Sequence, residues 1–234
     1  MRKLFDLARA NAGKGAGLRS EVDGDTATVY VYDVIDSLWG VSAADFAREL
    51  RAITAPNILL RVNSPGGDVF EARAMMTAIA EHPSTFTAKI DGLAASAATA
   101  LTLACARVEI ADGGFYMIHK AWTFAMGNAD DMAATAKLLE KIDDVLVDGY
   151  AGKSGKPKDE ILALMKAETW FNAQEAVDAG FAEAIMETSA KGQAKAFNVA
   201  AYANAPTALT EPEPEDDQTR QRMLARLGLY ERSA

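Results

Sequence analysis

A serine in the run Asp91-Gly-Leu-Ala-Ala-Ser96-Ala-Ala-Thr-Ala sits among small residues, where a strand should hand over to a helix. Small neighbours let the backbone turn sharply. A hydroxyl held at the helix N-terminus lies beside the Ala97 amide and the positive end of the helix dipole, which both favour developing negative charge. The chemistry this suits is nucleophilic attack on a carbonyl, and the plain alternative is a serine packed in an Ala-rich helix. His119 closes the apolar run Phe115-Tyr-Met-Ile-His119. An imidazole at the C-terminal edge of a strand is placed to act as a general base, although a purely structural histidine fits the same pattern. His82, in Glu-His-Pro-Ser, suits a turn and is the weaker base candidate. The glycines of Asn63-Ser-Pro-Gly-Gly67 allow backbone amides to turn toward a substrate carbonyl, as an oxyanion hole requires. They serve equally as a tight turn, or as a cradle for phosphate or coenzyme A.

The elements that position these residues alternate along the chain. Ala27 to Asp33 is β-branched and aromatic and predicts a strand. Ser42 predicts an N-cap, with Phe46, Leu50 and Ile53 recurring at helical spacing. A buried strand over 58–62 breaks at the Pro-Gly-Gly turn. A helix follows over 68–81, then a strand over 85–91, a turn at Gly92, a helix over 96–106, and strands over 107–111 and 116–118. Strands alternating with crossover helices predict an α/β fold on a mostly parallel sheet covered on its faces. From Asn128 to about Gly152 one long helix carries two apolar stripes, Met132, Ala136, Leu139, Ile142, Leu146 and Tyr150 on the first, Leu138 and Val145 on the second. Such a helix is able to face its own domain and a partner at once, and a ring depending on Leu139, Ile142 and Leu146 is expected. Helices over 158–166 and from Asn172 to Ala179, and a last strand over 181–186, complete the domain.

Residues 1–24 read as a flexible arm, 25–187 as the domain, and 188–234 as an acidic linker and tail with a short amphipathic helix near 219–230. The net charge of −9, with no compensating basic cluster, argues against nucleic acid as a partner. No apolar run is long enough for a membrane span, and the N-terminus lacks the core of a secretory signal. One cysteine, Cys105, and two histidines among 234 residues exclude a disulfide framework and a Cys/His zinc site, so a cytoplasmic location without metal or cofactor is expected.

Taken together, Asn63-Ser-Pro-Gly-Gly67, Gly92-Leu-Ala-Ala-Ser96-Ala, Met117-Ile-His119 and Thr169-Trp-Phe-Asn-Ala-Gln-Glu-Ala-Val177-Asp-Ala-Gly180 resemble the ClpP-like serine proteases, and more closely those that phages and prophages carry for head maturation. The resemblance runs in order from about Val29 to Ile185. It implies a ClpP/crotonase-like spiral of ββα units with the 128–152 helix as a protruding handle. It also implies Ser96 as nucleophile, His119 as base, and the amides of Gly66 and Ala97 as the oxyanion hole. Asp68, Val69 and the Lys120–Trp122 segment are then expected to pair an extended polypeptide substrate by strand addition. The third triad position, usually Asp in that family, is Glu168 here, with Asp159 and Asp178 as alternatives. The implied assembly is a homo-oligomeric ring, a heptamer or stacked heptamers, and the arm and tail leave dependence on an unfolding ATPase open. The function so implied is a serine endopeptidase acting on a scaffold or capsid precursor. The other readings are a housekeeping ATP-dependent Clp peptidase subunit, a crotonase-like acyl-CoA enzyme, and a noncatalytic ring scaffold.

Overall fold

The computed structural model describes residues 3–186 and 197–210. In chain order the elements are α1 (Lys3–Asn11), β1 (Gly17–Asp23), β2 (Thr26–Tyr32), α2 (Ala43–Arg51), β3 (Asn57–Ser64), α3 (Val69–Glu81), β4 (Thr85–Ala95) and α4 (Ala97–Leu103). They continue as β5 (Arg107–Ala111), β6 (Phe115–Ile118), α5 (Ala129–Ser154), α6 (Lys158–Lys166), β7 (Thr169–Asn172), α7 (Ala173–Asp178), β8 (Ala184–Met186) and α8 (Thr207–Thr210). The fold is α/β, of the ClpP/crotonase kind that the resemblance implies.

The sheet runs β1-β2-β3-β4-β5-β8, parallel from β2 to β8, with β1 antiparallel at one edge. β4 changes partner along its length. Residues 87–90 pair with β5 and residues 93–95 pair with β6, which in turn pairs antiparallel with β7. The chain therefore crosses Gly92 as a continuing strand rather than the expected turn, because the second half of β4 finds a fresh partner for its backbone groups.

The core lies on one face of the sheet. Val29, Val31, Ile58, Leu60, Val62, Ala88, Ile90, Val108 and Ile110 are fully buried there against Phe46 and Leu50 of α2, Met75 and Ile79 of α3, and Leu101 of α4. Each fully buried aliphatic side chain contributes about 1.5–3 kcal/mol relative to exposure. The opposite face is not covered as expected. Tyr32, Arg61, Lys89, Asp91 and Glu109 are only half-buried there, and they satisfy one another through the Arg61–Asp91 and Lys89–Glu109 ion pairs and the Tyr32 hydroxyl donating to Asp91 Oδ2. Alternation along β2 to β5 places apolar side chains on one face and polar ones on the other, so the sheet is stable with one face wet.

Two further expectations are corrected. Residues 3–23 are not an arm without regular structure, since α1 buries Leu7 and Ala8 and β1 forms a hairpin with β2. The Gly24-Asp25 turn makes that hairpin, with Gly24 at a φ of 56° that glycine adopts without strain. Part of the expected 188–218 linker also packs. Phe197, Val199, Tyr202 and Leu209 join Leu7, Leu93, Ala95 and Met117 in a second apolar cluster. The amphipathic segment near 219–230 lies outside the described residues.

The long helix behaves as a handle. Asn128 and Asp131 form a reciprocal capping box at its start, and Gly155 ends it at a φ of 72°. Most of its first half is exposed, and the domain buries only Asp143, Leu146, Val147 and Tyr150. The exposed apolar residues of the handle are Met132 of the first stripe and Leu138 and Val145 of the second, whereas Leu146 is buried; Leu138, Leu139 and Ile142 line the cleft described below. Leu138 and Val145 of the second stripe are the more exposed.

Candidate active site

Ser96 sits between β4 and α4, with φ 53° and ψ −123°. Ser96 and Glu168 are the non-glycine residues with positive φ among those described. A non-glycine residue in such a conformation stores about 1–3 kcal/mol and persists where the surrounding structure over-determines it, as sites of chemistry do. At Ser96 the surroundings are clear. Its amide donates to Met117 O at 2.9 Å, and its carbonyl accepts from Thr99 Oγ1 at 2.6 Å. The side chain makes no helix-capping bond, so the hydroxyl is left for another partner.

That partner is His119. It follows β6, and β6 lies beside the last residues of β4, so the two strand ends deliver both side chains to one point. Ser96 Oγ and His119 Nε2 are 2.6 Å apart. His119 is 8% exposed, which screens the pair from bulk water.

The Pro-Gly-Gly turn closes on the same point. A Cβ added at Gly66 would lie 2.5 Å from Ala95 O, 2.9 Å from Ser96 Cβ and 3.2 Å from the Ala97 amide nitrogen, so only glycine fits at its φ of 90°. The Gly66 amide donates to Ser64 Oγ at 3.2 Å, a long bond, and the Gly66 carbonyl accepts from the Ile35 amide. Ala97 is the first residue of α4, where an amide has no carbonyl within the helix to bond. Asp68 is the N-cap of α3: its carboxylate accepts from the Phe70 and Glu71 amides, and its own amide donates to Ile35 O.

A cleft opens from the pair toward the handle, lined by Gly67, Val69, Ala121, Trp122, Leu139 and Ile142 among others. Lys120 anchors one wall, its Nζ 3.0 Å from Asp143 Oδ2, while Asp143 Oδ1 accepts from the Ala121 amide at 2.8 Å. This buried aspartate of the handle fixes the 120–122 segment, a link with no local signature because its two ends lie on separate elements. Trp122 stands edge-on to His119, with ring centroids 4.8 Å apart.

Glu168 follows α6 at a φ of 50°. Its carboxylate accepts from the amides of Ala203, at 3.1 Å, and Asn204, at 2.6 Å. Asp178 accepts from Gln174, and Asp159 stands in the first turn of α6. His82 is bonded into a turn, its Nδ1 accepting from the Ser84 amide and its Nε2 3.0 Å from Leu50 O. Cys105 is no rival nucleophile, because burial pushes its thiol pKa up to about 12 and keeps it protonated.

An α/β spiral that presents a serine and a histidine in contact at two strand ends defines a serine hydrolase site. A family model described as Clp protease matches residues 42–189. The chain is 30% identical over 172 residues to the ATP-dependent Clp protease proteolytic subunit 1 of Protochlamydia amoebophila, covering 70% of this chain and 82% of that protein. It is 31% identical over 153 residues to the subunit 1 of Chlamydia abortus, covering 62% and 80%. Over 137 residues it is 31% identical to the ATP-dependent Clp protease proteolytic subunit of Streptococcus agalactiae, covering 57% and 70%. The chain belongs to the Clp protease family and is a serine peptidase. Among the described residues no helix is long and apolar enough to cross a membrane.

Proposed function

We propose that Ser96 attacks the scissile carbonyl of an extended polypeptide while His119 takes its proton. The observation that carries this is the 2.6 Å contact between Ser96 Oγ and His119 Nε2 at a strained strand-to-helix turn. The hydroxyl donates to Nε2, the proton passes to the imidazole as the Oγ–carbon bond forms, and the imidazolium returns it to the departing amine. Water, activated by the same imidazole, then releases the acyl group. The oxyanion is held by the Ala97 amide and by the Gly66 amide once the latter exchanges its long bond to Ser64 Oγ. Glu168 is kept from the sequence reading as the proposed third member of the triad, although the contacts its carboxylate makes are to the Ala203 and Asn204 amides. The substrate strand lies in the cleft. Asp68 N and Gly66 O are turned to Ile35, so backbone alternation directs Gly67 toward the substrate side, with Val69 and the Lys120–Trp122 segment opposite. The apolar lining by Leu139 and Ile142 favours an apolar side chain next to the cleaved bond.

Of the biological settings read from the sequence, we propose the subunit of an ATP-dependent Clp peptidase over phage head maturation. The relatives named above all carry the former description, and none of them is described as a head-maturation protease. The acyl-CoA reading gives the Ser–His contact no task. Hydrolysis of a short fluorogenic peptide is expected without ATP, and breakdown of a folded protein only when a Clp ATPase and ATP are added. Breakdown of a capsid precursor without an ATPase would favour head maturation instead.

The subunits assemble into a ring through the exposed apolar residues of the handle, Met132, Leu138 and Val145. The double variant Leu138→Glu and Val145→Glu is expected to convert the oligomer to monomers in light scattering with its melting temperature little changed. An unaltered oligomer would place the contact elsewhere.

A further inference from the structure

The segment 197–204 returns to the domain and reaches the Ser96–His119 pair through Tyr202. It is firmly seated. Phe197 and Val199 are buried with Leu7, Leu93 and Met117. Asn11 and Asn198 exchange two hydrogen bonds, of 2.8 and 2.6 Å, between the Asn11 side chain and the Asn198 backbone. Farther on, Glu168 accepts from two amides of the segment, and Asn204 Nδ2 donates to Ala167 O at 2.7 Å.

Tyr202 is the residue so delivered. Its ring, 4% exposed, stacks on Trp122 at 5.1 Å and 5° and stands edge-on to His119 at 5.4 Å and 74°. Its hydroxyl donates to Pro65 O at 2.6 Å, one residue before Gly66. Burial pushes the phenol well above its ordinary range, so the hydroxyl stays protonated and remains a donor. No residue of 197–210 is among those lining the cleft, whereas Ser96, His119 and Trp122 are.

We propose that Tyr202 is a positioning residue of the active site, holding the His119 ring by an edge-on contact and fixing the Pro65–Gly66 turn through its hydroxyl. The proposal rests on the reading of Ser96 and His119 as nucleophile and base. Glu168 has a second task in it, because its two amide contacts tie down the stretch that follows Tyr202. The positive φ of Glu168 is then retained for its side chain, where a glycine would relax the backbone but release the segment.

The test uses the full chain and compares Tyr202→Phe, Tyr202→Ala and Ser96→Ala in peptide hydrolysis and in labelling by a fluorophosphonate. Tyr202→Phe keeps the ring but loses the hydroxyl's bond to Pro65 O and its hydrogen-bonding contact with the Ser96 side chain, so kcat is expected to fall about tenfold with KM unchanged. Tyr202→Ala is expected to lower kcat and the labelling rate about a hundredfold, again with KM little changed, because the imidazole loses its edge-on contact as well. Should Tyr202→Ala fail to fold, Tyr202→Phe decides. Unchanged kcat in the folded variants, a change confined to KM, or a rise in activity that marks the segment as an inhibitory cap would each overturn the proposal. Activity surviving in Ser96→Ala would overturn the underlying reading instead.

Discussion

Ser96→Ala is expected to lower kcat/KM for a peptide substrate by about 10⁶-fold, with the fold and oligomer intact. The hydroxyl contributes nothing to capping α4, so its loss costs the structure little, while the bond-forming atom of the proposed reaction is gone. The strained turn survives, because its backbone bonds to Met117 and Thr99 do not involve Oγ. His119→Ala should be about as severe, and the double variant no worse than either, since nucleophile and base act as one unit. Steady-state kinetics on the three variants, with circular dichroism as the check on folding, measures this. Additive losses would separate the two residues into independent roles.

Glu168→Gln is expected to lower kcat by about 10³–10⁴-fold with KM little changed, which is the size of effect seen when a triad carboxylate becomes an amide. Two causes act together. The negative charge that stabilises the imidazolium is lost, and the new NH2 group meets the Ala203 or Asn204 amide, a donor facing a donor. Glu168→Asp keeps the charge on a shorter reach and should retain part of the rate. An unchanged rate in Glu168→Gln would move the role to another carboxylate and leave Glu168 as an anchor of the C-terminal segment alone.

The parts of this molecule that were legible in the sequence are those written locally. Ser42 and Asn172 announced helix starts through side-chain caps that need only the next three residues, and both cap as expected. The pairing of Ser96 with His119 was implied by the resemblance, and the structure realises it because each follows a strand and β4 and β6 are neighbours. What escaped depends on distant partners. β1, with the sequence Gly-Leu-Arg-Ser-Glu-Val-Asp, carries no apolar run and exists because β2 offers its edge. β4 continues through Gly92 because β6 takes over from β5. On α5 the 3.6-residue period revealed two stripes but not which residues the domain covers, and of those expected to carry assembly Leu146 is buried while Leu139 and Ile142 line the cleft. Tyr202 lay in a Pro-containing, weakly apolar stretch, and only the pocket of aromatic rings formed by Trp122, His119 and Trp170 makes its burial favourable.

The central claim is that Ser96 is the nucleophile. A fluorophosphonate reacts with an activated serine by displacement of fluoride and leaves a covalent phosphonyl adduct on Oγ, so digestion and mass spectrometry of the labelled full chain locate the reactive residue. A single adduct on the peptide containing Ser96, absent in His119→Ala, is the predicted result. An adduct on a different residue, or none from protein that is hydrolysing peptide in the same preparation, would contradict it.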